Sequence, residues 1–567
     1  MAKEKKGEKK MKTISAIGGY SMACNYMIGT GVLALPIVFN SASIGTSVLI
    51  TMLASLLCGI STFWINEATA RGWALVRHRQ QTNGTTQTPT AAENDSGPSD
   101  SDQDEKPLLE DDKQETEQAY VPPPADNDEP QLYQDGEMAD PTETANTTDG
   151  STLAPVVDAL VEPDYAIPTE EVLQLPSLCK LFMGNTGFLV YQFCVIIYLF
   201  STLWGYASVV ASSLTSNFLW VPQKVFELFG SHYFSGITCN EPCSYRFGCS
   251  EIYVVFMVLF TITSMFFGLM EVSDQALIQM VFTVFRYLVL GIMILTTGMA
   301  FFIGPYDGDA HQSIPYYYPQ AAFKLSLNGL AKVIPAAVFS QVMHHSAPVL
   351  LQPVRNKKRL NTMFGSVLAT ACIFYISLAV ICALYFGPNA RSLASLNWAT
   401  WNGKSWTDSG SRPIIPILVS MLIILFPAVS LVSSSPLNAI TLSFMIMELM
   451  PGKIKDPKWR YYKLVLITCR CLAIIPPIFI AAFVRCLTMI VQVCGITGFA
   501  LCLIFPPLLQ LTSQRKLKKI YGDKAGKTPY TNIFSFWPIP VFVIIVGVVF
   551  AIVTTSGMVT SWLGIDV

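Results

Sequence analysis

The sequence predicts an all-α integral membrane protein with eleven transmembrane helices, and three observations predict it. Of 567 residues, 51% are hydrophobic and only 13% are charged, too apolar a balance for a soluble chain of this size. Eleven apolar runs reach the roughly 20 residues that a helix needs to cross a bilayer. They lie near 14–38, 43–70, 187–217, 251–270, 276–303, 327–351, 362–387, 413–450, 461–484, 486–511 and 536–562. Lys and Arg gather in alternate connections, at 1–12, 355–359, 453–463 and 515–527, which marks those as cytoplasmic.

The basic segment 1–13 is too charged for a cleaved signal peptide and reads as a cytoplasmic tail. The first span then carries Asn25-Tyr-Met-Ile-Gly29-Thr30-Gly31 and Pro36. A helix in lipid must satisfy every backbone N–H and C=O within itself. Two glycines around a threonine, followed by proline, invite it to unwind. Unwound backbone at membrane depth lines a cavity, and in secondary transporters it marks the solute site. Small residues also let helices pack closely, but the combination with Asn25 and Pro36 favours the broken helix.

Spans one and two fill 14–78. The next segment, 79–176, is rich in Asp, Glu, Thr, Pro and Asn and poor in aliphatic residues. It cannot bury enough surface to offset the entropy of ordering, which predicts a disordered acidic cytoplasmic loop. Within it Asp104-Glu-Lys-Pro-Leu-Leu109 looks like an acidic dileucine signal for a sorting adaptor. Asn83, Asn94 and Asn146 form glycosylation sequons that this topology leaves in the cytosol, unmodified.

Spans three to eleven occupy 177–567. Of fourteen cysteines, eight or more lie within spans and read as small apolar residues, whereas Cys239, Cys243 and Cys249 share an outside loop. One disulfide among these three is expected; a zinc site there is disfavoured, because His232 is the only nearby histidine. Arg286 in the fifth span and Glu67 near the inner end of the second read as snorkelling, or as a gate pairing each other, Glu271 or Asp274. The sixth span holds Pro335, Pro348 and Pro353 around His344-His345-Ser346, a second interruption five spans after the first. Intramembrane histidines are costly; one of them is a candidate proton-coupling group, with a cross-helix hydrogen bond as the plainer reading. Tyr20, Tyr26 and Phe339 are candidate aromatic gates. An odd span count allows two inverted five-helix repeats plus one extra helix. It also sets the C-terminus on the extracytosolic side. No basic patch interleaved with aromatics points to nucleic acid, and no motif points to covalent catalysis.

The first span, with FCVIIYL at 193–199, HHSAPVLLQPVRNKKRL at 344–360, LFPAVSLVSSSP at 425–436 and CGITG at 494–498, resembles the amino acid/auxin permease family. That family belongs to the amino acid–polyamine–organocation superfamily, and these segments are most similar to its transmembrane protein 104 branch. The resemblance implies a fold like that of the bacterial leucine transporter, with an amino acid bound where spans one and six unwind. It implies substrate contacts at Gly29, Thr30 and Gly31, beside which Tyr26, Phe339 and His345 read as further substrate-facing residues. It also implies ion coupling at Asn25, Ser430, Ser433 and Ser434, with sodium held at Asn25, Ser433 and Ser434, while His344 is the candidate for proton coupling. The expected activity is secondary transport of small neutral amino acids by alternating access, with no cofactor beyond a coupling sodium ion or proton. The expected residence is an endolysosomal or plasma membrane. An amino-acid sensor that signals through its cytoplasmic segments stays open as an alternative, and a channel is disfavoured because no ring-forming filter motif exists.

Overall fold

The computed structural model describes residues 14–29, 31–85, 162–169, 172–218, 239, 248–269, 276–303, 327–387, 390–403, 406, 413–455, 459–522, 525 and 527–563. The basic tail, Thr30, the Asp104–Leu109 segment, Asn94, Asn146, His232, Cys243, Glu271 and Asp274 lie outside them. Regular structure among the described residues is helical, apart from one isolated bridge between Ile14 and Val354. Nine of the described helices are long and apolar enough to cross a membrane, ten when a bent pair counts as one span.

The helices follow local signals. Ser15 caps α1 (Ala16–Met27) by accepting the Gly18 N–H at 3.1 Å. The chain bends by 53° into α2 (Gly31–Ser41). Ser43 caps α3 (Ile44–Thr85) through the Thr46 N–H. α4 (Leu175–Phe218) starts twelve residues before the predicted 187, because Gly184 at φ 72° joins a short inner helix to the span across a kink. α5 (Cys249–Gly268) and α6 (Ala276–Ile303) follow.

The sixth apolar run is two pieces, α7 (Leu327–Phe339) and α8 (Ala347–Leu351), separated by non-helical chain and one 3₁₀ turn at His344–Ser346. Pro348 sits in the first turn of α8, where its missing N–H is harmless. α9 (Leu360–Phe386), α10 (Ile414–Glu448) and α11 (Tyr462–Phe483) are next. α12 (Leu487–Phe499) and α13 (Phe505–Tyr521) run on through a π-helical turn at Ala500–Ile504, and α14 (Pro538–Trp562) ends the set.

α4 packs along α10, α2 lies against α7, and α7 is flanked by α12 and α14. Outward stripes such as Val281, Val284, Leu288 and Leu295 on α6, or Phe542, Ile545, Val549 and Ile552 on α14, are exposed and wholly apolar. Surfaces of that kind belong in hydrocarbon.

Helical order in α3 runs past residue 78, and 162–169 is pinned at the far edge of the predicted loop. Arg77 holds the Asp164 carboxylate at 2.9 Å, and the Tyr165 hydroxyl donates to the Ala525 carbonyl at 2.7 Å. Burial raises the Tyr165 phenol above its ordinary pKa, so it stays a donor across neutral pH.

Candidate functional site

The first span breaks where its glycines lie. α1 ends at Met27; Ile28 leaves the helical region at ψ 86°, and the Gly29 N–H turns back to the Met27 carbonyl at 2.9 Å. Helix resumes at Gly31, so the opening N–H groups of α2 have no carbonyl in the preceding turn. Pro36 is accommodated inside α2 and is not the point of rupture. A Cβ on Gly31 would fall 2.8 Å from the Cα and 2.9 Å from the Cβ of Ser340, the residue that follows α7. Real atoms do not approach that closely, so only glycine lets the two interruptions meet.

A small cavity of about 10 Å³ opens at this junction, room for about one water molecule. Of the residues predicted for the substrate, Tyr26, Gly29, Gly31 and Phe339 line it. His345 does not; it stands one layer behind, its ring 6.2 Å from that of Tyr26 and 5.4 Å from that of Tyr198. Its two ring nitrogens are buried and have no hydrogen-bond partner among the described residues. Met27 and Val342 add apolar wall, and α4 supplies Tyr198, Thr202 and Tyr206, at successive i+4 positions. These three were absent from the residues expected at the site, although a polar stripe at helical spacing in an apolar run is the signal that marks them. Among the described residues that line the cavity there is no Asp, Glu, His, Lys or Arg.

Arg286 departs most from expectation. It neither snorkels nor pairs with Glu67, because its guanidinium is fully buried beside the break. It donates to the Asn25 carbonyl at 2.7 Å, to the Ser430 carbonyl at 3.0 Å and to the Ser434 hydroxyl at 2.6 Å, and its Nε–H donates to the Ser430 hydroxyl. Of the residues expected to hold sodium, Asn25 and Ser434 meet, together with Ser430, around a cation, and that cation is an arginine of α6. Asn25 contributes its backbone carbonyl to it. Ser433 lies in α10 between the two serines; its side chain is outside the described set.

His344 points away from the cavity. Its Nε2 lies 2.9 Å from the Cys58 carbonyl and 3.2 Å from the Thr62 hydroxyl, and its Nδ1 lies 3.0 Å from the Cys502 sulfur. Tyr20, the other proposed gate, meets the Tyr287 hydroxyl at 3.4 Å and is no part of the cavity wall.

Glu67 is buried and pairs with Arg71 at 2.7 Å, one helical turn on. Gln510 bridges both, and Thr531 and Ser535 donate to the carboxylate. Far from this pair, Cys239 and Cys249 form the one disulfide expected of the outside loop, and Cys486 is disulfide-bonded as well, which no pattern in the sequence announces.

Residues 171–560 match the family model described as transmembrane amino acid transporter protein. The chain is also similar to the transmembrane protein 104 homolog of Dictyostelium discoideum, 21% identical over 95% of this chain and 96% of that protein. It is 25% identical to the Drosophila melanogaster homolog over 65% and 70%, and 20% identical to human transmembrane protein 104 over 64% and 69%. A family model that spans most of the helices, joined to a helix break with a cavity at its centre, identifies the class of protein. The chain belongs to the transmembrane amino acid transporter family, a family of transporters and not of enzymes.

Proposed function

We propose that the chain carries small neutral amino acids across its membrane by alternating access, with the solute held where the first and sixth spans come apart. The observation that carries this reading is the meeting of Gly31 and Ser340 beside an uncharged cavity. A zwitterion needs one site for an anion and one for a cation, and no net charge in the wall. Free N–H groups at the start of α2 suit the carboxylate, aided by the helix dipole. The closing carbonyls of α1 and α7 suit the ammonium group. Tyr26, Tyr206 and Phe339 leave little room, which favours short side chains. At about 10 Å³ the cavity is too small for even the smallest amino acid, so admitting one requires its walls to part.

The same reading counts α7 and α8 as a sixth span, which gives eleven. Interruptions five spans apart favour two inverted repeats of the bacterial leucine transporter kind, with α14 as the extra helix. Disulfides near residues 239–249 and 486 support an oxidising, extracytosolic side at that end, opposite the basic segments.

For coupling, Arg286 stands in for sodium. A guanidinium keeps its proton under all physiological conditions, so this position supplies a fixed charge and takes no part in ion exchange. The proton route is then the stronger one, and the unpartnered imidazole of His345 behind Tyr26 and Tyr198 is its carrier. The decisive measurement is uptake by proteoliposomes of a panel of labelled amino acids, with sodium and pH varied separately. Flux of a small neutral amino acid that follows an inward proton gradient and ignores sodium is expected. Uptake that requires sodium would mean that Arg286 does not take the ion's place.

A further inference from the structure

Outside the cavity, three soft ligand atoms converge that the transport reading does not use. Cys58 on α3, His344 in the 3₁₀ turn of the sixth span and Cys502 in the π-helical turn are all buried, and one ligand atom from each lies within 4.8 Å of the others. They come from three stretches of chain far apart in sequence. The π turn is itself informative, because such turns are rare and recur at functional sites.

We propose that Cys58, His344 and Cys502 form a binding site for a thiophilic d¹⁰ cation, zinc, that clamps the sixth-span break to α3 and to the turn between α12 and α13. The tautomer of His344 supports this. Its Nε2 faces the Cys58 carbonyl at 2.9 Å, a group that only accepts, so Nε2 carries the proton. The lone pair of Nδ1 is therefore left facing the Cys502 sulfur at 3.0 Å. Metal-bound histidines are typically fixed in this manner, one nitrogen on the metal and the other donating to a carbonyl. Thr62 completes the outer layer by donating to the same carbonyl at 2.9 Å.

Charge favours zinc. On binding, each thiol releases one proton to water, two Zn–S bonds and one Zn–N bond form, and no electron moves. Two thiolates and a neutral imidazole around Zn²⁺ sum to zero charge, the least costly state for a buried site. A cuprous ion on the same three ligands would leave a net negative charge. Zn–S bonds near 2.3 Å and Zn–N bonds near 2.0 Å set donor atoms roughly 3.5–4 Å apart, so His344 and Cys502 need separate by only about 0.5–1 Å.

The proposal concerns metal binding and stands whether or not the solute is an amino acid. Cobalt titration of the purified full-length chain, in detergent and under reducing conditions, tests it. Thiolate-to-cobalt charge-transfer absorption is expected, saturating at one ion per chain and abolished by added zinc. Cys502→Ser keeps a donor toward Nδ1 but should weaken binding by at least about 100-fold, and Cys494→Ser, outside the cluster, should leave it unchanged. In the unaltered protein, one zinc per chain should be retained through desalting and counted by elemental analysis, a readout that survives if a variant fails to fold. Absence of the absorption in the unaltered protein overturns the site, as does its persistence in Cys502→Ser. Tighter binding of Cu⁺ than of Zn²⁺, or a Cys58–Cys502 disulfide in peptide maps in place of metal, overturns the choice of zinc.

Discussion

A guanidinium sealed from water must have its donors occupied, and Arg286 meets that need with oxygens from α1 and α10. Removing it leaves those oxygens buried and short of donors, at about 1–3 kcal/mol for each one stranded. Arg286→Met should therefore lower the melting temperature in detergent by several degrees, and Arg286→Lys, with three donors but no planar fork, by less. Once vacated, the oxygens suit a hard cation. Sodium should then raise the melting temperature of Arg286→Ala and leave the unaltered protein unmoved. Gly31 makes a second test at this scale. Gly31→Val drives side-chain atoms into the backbone of Ser340 and should abolish uptake while expression in the membrane persists; full uptake in that variant would remove the junction from the pathway. Gly31 was legible in the sequence because its signal is local, a glycine pair with a proline beyond. Arg286 was not, because its partners lie 144, 148 and 261 residues away and a lone arginine in a span looks the same whether it snorkels or is sealed.

Among the elements, the best-read were those whose pattern is self-contained. Long apolar runs announced the spans, and the clustered prolines and histidines announced the interruption between α7 and α8. The early start of α4 was hidden, because 175–183 is amphipathic and too short to register as a span until Gly184 turns it. Glu67 and Arg71 were likewise hidden as a pair with Gln510 from α13. Glu67→Gln strands a buried arginine and should destabilise the fold by about 3–5 kcal/mol, seen as a steep loss of thermal stability without loss of helical content on ice. The link between Cys239 and Cys249 closes a short loop before α5, and its loss should cost about 2–4 kcal/mol. Peptide mapping without reductant should recover the two cysteines joined.

At the scale of the whole molecule, the basic segments near 355–359, 453–455 and 515–519 and the disulfides near 239–249 and 486 predict opposite faces of the membrane. Asn83, in the last turn of α3, should therefore carry no glycan when the protein matures in a secretory pathway, and a glycan there would invert the topology. Deleting 86–161 should leave uptake intact in a carrier, because none of the described cavity residues comes from that segment. A sensor would keep solute binding and lose its downstream signal. The bridge between Ile14 and Val354 sets a mechanical condition on all of this. The Ile14 N–H reaches the Pro353 carbonyl at 2.9 Å, and the Arg355 N–H returns to the Ile14 carbonyl at 3.0 Å. The foot of the first span is thereby stitched to the foot of the sixth. Either both feet swing together as a single lever, or each turnover must rip and re-form that two-bond seam, and a cysteine staple across positions 14 and 354 would jam only the second kind of machine.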